Sequence, residues 1–104
     1  MSTIEKLAAT IAARAAASVG SSYTAKLLAG GIEKCAKKFG EEAFELAMAA
    51  TSKDKAHTAQ EAADVIYHLL VLLQASGVSL AEVETVLAAR ESQSGFEEKA
   101  GRRG

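Results

Sequence analysis

No proline interrupts the 104 residues, and Cys35 is the only cysteine among them. Without proline the backbone carries no obligatory helix break, and the abundance of Ala, Leu, Glu and Lys favours helix almost throughout. A lone cysteine excludes an intrachain disulfide and, within one chain, a Cys₄ or Cys₂His₂ zinc site, and it fits a reducing, cytoplasmic setting. Strong charge of either sign is also missing: the formal net charge is −1, which argues against a nucleic-acid footprint. No apolar run is longer than Leu69 to Leu73, which is far too short to span a bilayer, so no transmembrane segment and no membrane partner are expected. The alanine-rich stretch from Ile4 to Val19 opens with Glu5 and Lys6 and leads into no long apolar run, so it is not read as a targeting sequence. The phosphate-cradling G-x-x-x-x-G-K-[ST] and G-x-G-x-x-G loops and the H-E-x-x-H zinc motif are absent. So is the Glu-x-x-His ligand pair of di-iron bundles.

What remains is a chain with 49% hydrophobic residues, enough for one core and one domain over residues 1–104, with 92–104 as a tail. The expected architecture is an all-α bundle of four to five helices. Ser2 with Glu5 forms a capping-box pattern, which predicts a first helix from Thr3 to Ser18, stopped at Gly20. Ser21 and Ser22 precede a short segment, Tyr23 to Leu28, that ends at Gly30 and Gly31. A third helix, Ile32 to about Ala50, places Ile32, Cys35, Ala36, Phe39, Ala43, Leu46, Ala47 and Ala50 at core spacing. Asp54 can cap a fourth helix that runs to Ser76 and stops at Gly77. A second capping box, Ser79 with Glu82, opens a last helix with Leu80, Val83, Val86 and Leu87 inward. From Ser92 to Gly104 the periodicity fails, leaving either a tail or a strap over a site.

The chemistry concentrates between Gly40 and His68. Glu42 and Glu45 are three residues apart, as are Glu61 and Asp64, so each helix presents a carboxylate pair on one side. If the connection from Ala50 to Lys55 folds the helices together, four carboxylates converge and repel unless a hard cation such as Mg²⁺ lies between them. Lys34 and Lys38 precede Glu41 and Glu45 on one stripe. Positive charge beside a cation site suits a polyphosphate.

Each residue also has a plainer reading. Glu42 lies about 60° from the centre of its helix's apolar face and borders the core. Glu61 falls near the middle of the face made by Val65, Leu69 and Leu72, where an uncompensated carboxylate costs several kcal/mol to desolvate. A Thr58–Glu61 capping box accounts for Glu61 alone, leaving Asp64 and the other pair unexplained. Glu41 is either a solvated surface charge or a supporting acid. Lys37 reads as a helix-face lysine paired with nearby glutamates. His68, four residues after Asp64, has a spacing that permits metal binding but equally suits a hydrogen-bonded interface histidine. Cys35 reads as inert core.

E-x-x-E followed about sixteen residues later by E-x-x-D resembles the pattern of the all-α nucleoside triphosphate pyrophosphohydrolases, the MazG-like superfamily; Glu42, Glu45, Glu61 and Asp64 match it one for one. The stretches SYTAKLLAGGIEKCAKKFGEEAFELAMAA, EAADVIYHLLVLL and SGFEEKAGR narrow the likeness to the phosphoribosyl-ATP pyrophosphohydrolase family over Ile4 to Arg102. The resemblance implies cleavage of phosphoribosyl-ATP to phosphoribosyl-AMP and pyrophosphate with Mg²⁺, the second step of histidine biosynthesis. The stand-alone form is expected, since no cysteine-rich cyclohydrolase domain accompanies it. Glu42, Glu45, Glu61 and Asp64 would hold the metal, Glu45 or Glu42 would take the proton of the attacking water, and Lys34 and Lys38 would hold the phosphates. Lys99 and Arg102 would close over the phosphoribosyl end, with Glu41 and His68 supporting.

Two other functions fit the residues: a general (d)NTP pyrophosphohydrolase sharing the carboxylates, and a non-enzymatic helical interaction module whose charges are surface pairs. A homodimer is expected, because Leu70 and Val71 fall outside the Val65–Leu69–Leu72 stripe and one short chain offers little to cover a helix that is apolar nearly all round.

Overall fold

Thr3–Arg14 (α1), Tyr23–Ala29 (α2), Ile32–Thr51 (α3), Lys55–Ser76 (α4) and Leu80–Glu91 (α5) follow one another in a computed structural model that describes residues 1–17 and 22–91. No strand occurs among the described residues, as expected for an all-α chain. Nor is any single helix among them long and apolar enough to cross a membrane.

The caps account for most of the boundaries. Ser2 and Glu5 bond reciprocally, the Ser2 N–H donating to Glu5 Oε1 at 2.8 Å and the Glu5 N–H to Ser2 Oγ at 3.1 Å. Helix α1 stops at Arg14, short of the expected Ser18. The amides of Ala15, Ala16 and Ala17 each reach back three residues, to Ala12, Ala13 and Arg14, which tightens the end into a turn that cannot continue an α-helix. Residues 18–20, the rest of that expectation, lie outside the described residues. The hydroxyl oxygen of Ser22 accepts from the Ala25 N–H at the start of α2. Gly31 has φ +90°, a backbone that an L side chain resists, and it turns the chain into α3.

Helices α3 and α4 form an antiparallel hairpin, the most extensive contact in the molecule. Its bend is three residues long: Ser52 Oγ donates to the Ala49 carbonyl at 2.6 Å, Lys53 takes a left-handed conformation (φ 64°), and Asp54 Oδ1 accepts from the His57 N–H at 3.0 Å. Both helices rise equally per residue, so positions equidistant from Lys53 come opposite one another. Glu45 thus faces Glu61, Glu42 faces Asp64, Lys38 faces His68 and Cys35 faces Val71.

Farther from the bend, α1 packs on α4 and α2 packs against both α3 and α4, so the C-terminal half of α4 is covered from more than one side. Ile11, Leu27, Cys35, Leu70 and Val71 make the buried core, with Val71 only 1% exposed. Leu70 and Val71 are therefore not free for a partner. The expected inward stripe of Val65, Leu69 and Leu72 is only partly buried, and the chain's own N-terminal helices take the face assigned to a second subunit. On α3 the expected core face is half covered: Cys35 is buried and Phe39, Ala43 and Leu46 partly so, but Ile32, Ala36, Ala47 and Ala50 are exposed, and Ala49 is buried in their place. The reason is rotational, since α4 lies over the line of Cys35, Glu42 and Ala49.

Gly77, in a left-handed conformation (φ 75°), ends α4; its N–H donates to the Gln74 carbonyl and that of Val78 to Leu73, a Schellman arrangement. The Ser79–Glu82 capping box opens α5 as expected, and α5 leaves α4 at 109°. Of the residues expected inward on α5, Leu80 packs against the core and Val83 is partly buried, but Val86 and Leu87 are exposed because α5 points away from the bundle.

One polar contact fixes α2 on α4: the hydroxyls of Thr24 and Tyr67 share a 2.6 Å hydrogen bond beneath the stacked rings of Tyr23 and Tyr67. Tyr67→Phe is expected to cost about 1 kcal/mol of unfolding free energy. Thr24→Val should cost about as much, with the double variant barely worse than either single one when measured by urea denaturation. Full additivity would mean that the two hydroxyls do not interact.

Candidate metal centre

About two helical turns from the bend, the hairpin brings one carboxylate oxygen each of Glu42, Glu45 and Glu61 within 4.8 Å of one another. The side chain of Glu61 is 16% exposed, and its Oε2 is buried with no hydrogen-bond partner among the described residues. The capping-box reading of Glu61 does not hold. Helix α4 begins at Asp54, and Thr58 Oγ1 donates back to the Asp54 carbonyl at 2.8 Å rather than receiving an amide.

Glu42 binds its proton more tightly than an ordinary glutamate. A hydrogen bond with the Glu45 carboxyl is the largest cause, followed by burial and by the negative charges of Glu45, Asp64 and Glu61. The folded state thus holds the Glu42 proton at a pH where the unfolded chain releases it. This contribution to stability is full below the ordinary carboxylate range and is lost as pH rises through the raised value.

Asp64 stands just outside the triad, exposed on α4, yet close enough for its charge to act on Glu42. His68, one turn farther, is buried at the helix interface with its ring edge-on to Tyr67 at 5.0 Å. Burial lowers its pKa, the Lys38 charge lowers it further, and Asp64 opposes both. A neutral imidazole at the interface results, and it does not join the triad.

Lys38 Nζ lies 4.0 Å from Glu41 Oε1, both partly exposed, so Glu41 is tied to the lysine and is not part of the triad. Lys34 and Lys38, with Lys37, Glu33 and Glu41, line a groove of about 530 Å³. Lys99 and Arg102 lie outside the described residues. The sequence reading passed over His57, whose Nε2 lies 3.9 Å from Glu61 Oε1. Its only sequence signal is the i, i+4 spacing to Glu61. Phe44 and Met48, both exposed, flank Glu45 on α3 and were also missed. Cys35 is buried and donates to the Leu27 carbonyl at 3.4 Å; burial pushes its thiol pKa up, which makes it a poor nucleophile.

The donor set fits a hard divalent cation. Three carboxylates, two from α3 and one from α4, meet at the hairpin, and the buried oxygen of Glu61 lacks a donor among the described residues. Oxygen-only ligation of this kind suits Mg²⁺, Ca²⁺ or Mn²⁺ rather than a thiolate- or imidazole-seeking metal.

Comparison with known proteins is consistent across the chain. Residues 4–91 match the family model described as phosphoribosyl-ATP pyrophosphohydrolase. A phosphoribosyl-ATP pyrophosphatase of Cereibacter sphaeroides is 61% identical over 102 residues, covering 98% of this chain and 99% of that protein. One from Dinoroseobacter shibae is 58% identical over 102 residues, covering 98% and 100%. Phosphoribosyl-ATP pyrophosphatase 1 of Rhodopseudomonas palustris is 57% identical over 101 residues, covering 97% and 94%. With the family model spanning most of the chain and these relatives aligned nearly end to end, the chain belongs to the phosphoribosyl-ATP pyrophosphohydrolase family.

Proposed function

We infer that this chain hydrolyses phosphoribosyl-ATP to phosphoribosyl-AMP and pyrophosphate, the second step of histidine biosynthesis. The observation that carries this reading is the near end-to-end identity with proteins named for that substrate. The carboxylate cluster at the hairpin supports it. Residues 1–104 serve as one catalytic domain acting in the cytoplasm.

Glu42, Glu45 and Glu61, with Asp64 beside them, would hold Mg²⁺. Bound there, the ion would neutralise the polyphosphate and make the attacking water more acidic. Glu45 or Glu42 accepts the proton as water attacks the anhydride between the α and β phosphates. The raised proton affinity of Glu42 suits it to that task. Lys34 and Lys38 hold the phosphates and offset the charge that develops on the leaving pyrophosphate. Glu41 pairs with Lys38 at the groove, and His68 supports Asp64 from the interface. Contact with the phosphoribosyl end is the role assigned to Lys99 and Arg102, which lie outside the described residues.

A homodimer completes the assembly. Its support is the apolar surface this chain leaves open: Val86 and Leu87 on α5, and Ile32 on α3, are each about half exposed. The contact runs through α5 and the uncovered side of α3, in place of Leu70 and Val71.

The purified protein is expected to release pyrophosphate, and not orthophosphate, from phosphoribosyl-ATP only when Mg²⁺ is present, and to prefer that substrate to dNTPs. Equal turnover of dNTPs would instead indicate a general nucleotide pyrophosphohydrolase. Glu61→Gln should lower turnover by about a hundredfold or more. The same change should leave the metal-free unfolding free energy equal or higher, by up to about 1 kcal/mol, because a strained buried charge is removed. Added Mg²⁺ should stabilise the parent and barely affect the variant; an equal metal response in both would exclude Glu61 from the site. Sedimentation at micromolar concentration should give a dimer, and Leu87→Glu should shift it toward monomer.

A further inference from the structure

Among the described residues, two hollows lie along α3 on either side of the carboxylate cluster, and they differ in chemistry. One is the lysine groove already described, whose wall belongs to α3 and comes nearest the cluster in sequence at Glu41, next to Glu42. The other, about 440 Å³, lies on the bend side and is lined by Phe44, Glu45, Met48, Ala49, Ser52, His57 and Glu61, a size suited to a small-molecule group. Glu45 and Glu61 belong to the cluster and to this pocket at once. Among the described residues, the rest of its wall has no lysine or arginine. It offers an aromatic face and a thioether, with Phe44 65% and Met48 53% exposed, and across from them the His57 ring and the Ser52 hydroxyl. A third hollow, lined by Ala50, Lys53, Lys55, Thr58, Ala59 and Ala62, shares no wall with the acids.

A nucleotide whose scissile anhydride lies at the acids has to extend both ways along this side of the hairpin. Its phosphates and its nucleoside make opposite demands. The phosphates need cations, and Lys34 and Lys38 are on the side away from the bend. The nucleoside needs an apolar plane against the base and a few donors and acceptors for its edges and hydroxyls, and those are on the bend side. Resting on the pyrophosphohydrolase reading, we propose that the Phe44–Met48–Ser52–His57 pocket holds the nucleoside half of the substrate. The triphosphate then runs from the acids toward Lys38 and Lys34, and pyrophosphate departs at the lysine end. Phe44 stacks on the purine, Met48 fills beneath it, and His57, held against Glu61, borders the base.

The two halves can be probed separately by calorimetry, with AMP for the nucleoside end and Mg²⁺-pyrophosphate for the other. The double variant Phe44→Ala/Met48→Ala is expected to weaken AMP by about tenfold and to leave pyrophosphate within about twofold. Lys34→Ala/Lys38→Ala should do the opposite. Both positions on α3 are exposed, so the fold should survive. Phe44→Trp adds a further readout, because the chain has no tryptophan of its own: AMP should quench its fluorescence and pyrophosphate should not. Parental AMP affinity in the Phe44/Met48 variant, or AMP affinity that follows the lysines, would overturn the assignment. So would conversion of a dimer to monomer in that variant with AMP affinity intact, which would give Phe44 and Met48 to a subunit contact. A parent that binds both probes with this polarity yet releases no pyrophosphate from phosphoribosyl-ATP would support the pocket and reject the activity.

Discussion

The register of the α3–α4 hairpin is the constraint on which everything else depends. Three residues, Ser52 to Asp54, set it. Ser52 closes one helix with its hydroxyl, Lys53 reverses the chain, and Asp54 opens the next helix by accepting the His57 amide. From that pivot outward the facing pairs change from carboxylate on carboxylate to lysine on histidine and then to thiol on valine. The polar end makes a site and the apolar end makes a core, and the two share a pair of helices. The core of Cys35, Leu70 and Val71, reinforced by Ile11 and Leu27, stabilises a geometry that by itself pushes like charges together. A few buried aliphatic groups, each contributing about 1.5–3 kcal/mol, are the kind of resource needed to hold strained carboxylates in place.

Much of this was legible in the sequence wherever a local signal decided the outcome. Ser2 with Glu5, Asp54, Gly77 and Ser79 with Glu82 each mark a boundary through a bond made within a few residues, and each boundary is where the spacing put it. The i, i+3 acid pairs followed from helical geometry, and a short bend was enough to bring Glu42, Glu45 and Glu61 together. Asp64 joined only through its field. The end of α1 was misplaced because a run of alanines carries helix propensity but no stop, and the tightened turn at Ala15–Ala17 has no side-chain signature.

The rotation of each helix about its axis was much less legible. Helix α3 is rich in alanine on several sides, so Ile32, Ala36, Ala47 and Ala50 looked as inward as Cys35 and Leu46, although α4 covers only one strip. Helix α4 is apolar nearly all round, and which face is buried depends on where α1 and α2 pack, a fact spread across the chain. The same holds for the Thr24–Tyr67 bond, whose partners are 43 residues apart. His57 was passed over for a different reason: beside Glu61 it looked like one more polar residue in a turn, and only the fold shows that it walls a pocket with Phe44 and Met48.

The crowding around Glu42 has a consequence beyond local strain. Its proton affinity is raised by its neighbours, Glu45 first and then Asp64 and Glu61, so any cation that took up their charge would also loosen that proton. The level of free metal and the acidity of the surroundings would then be linked variables for this protein, each able to read out the other.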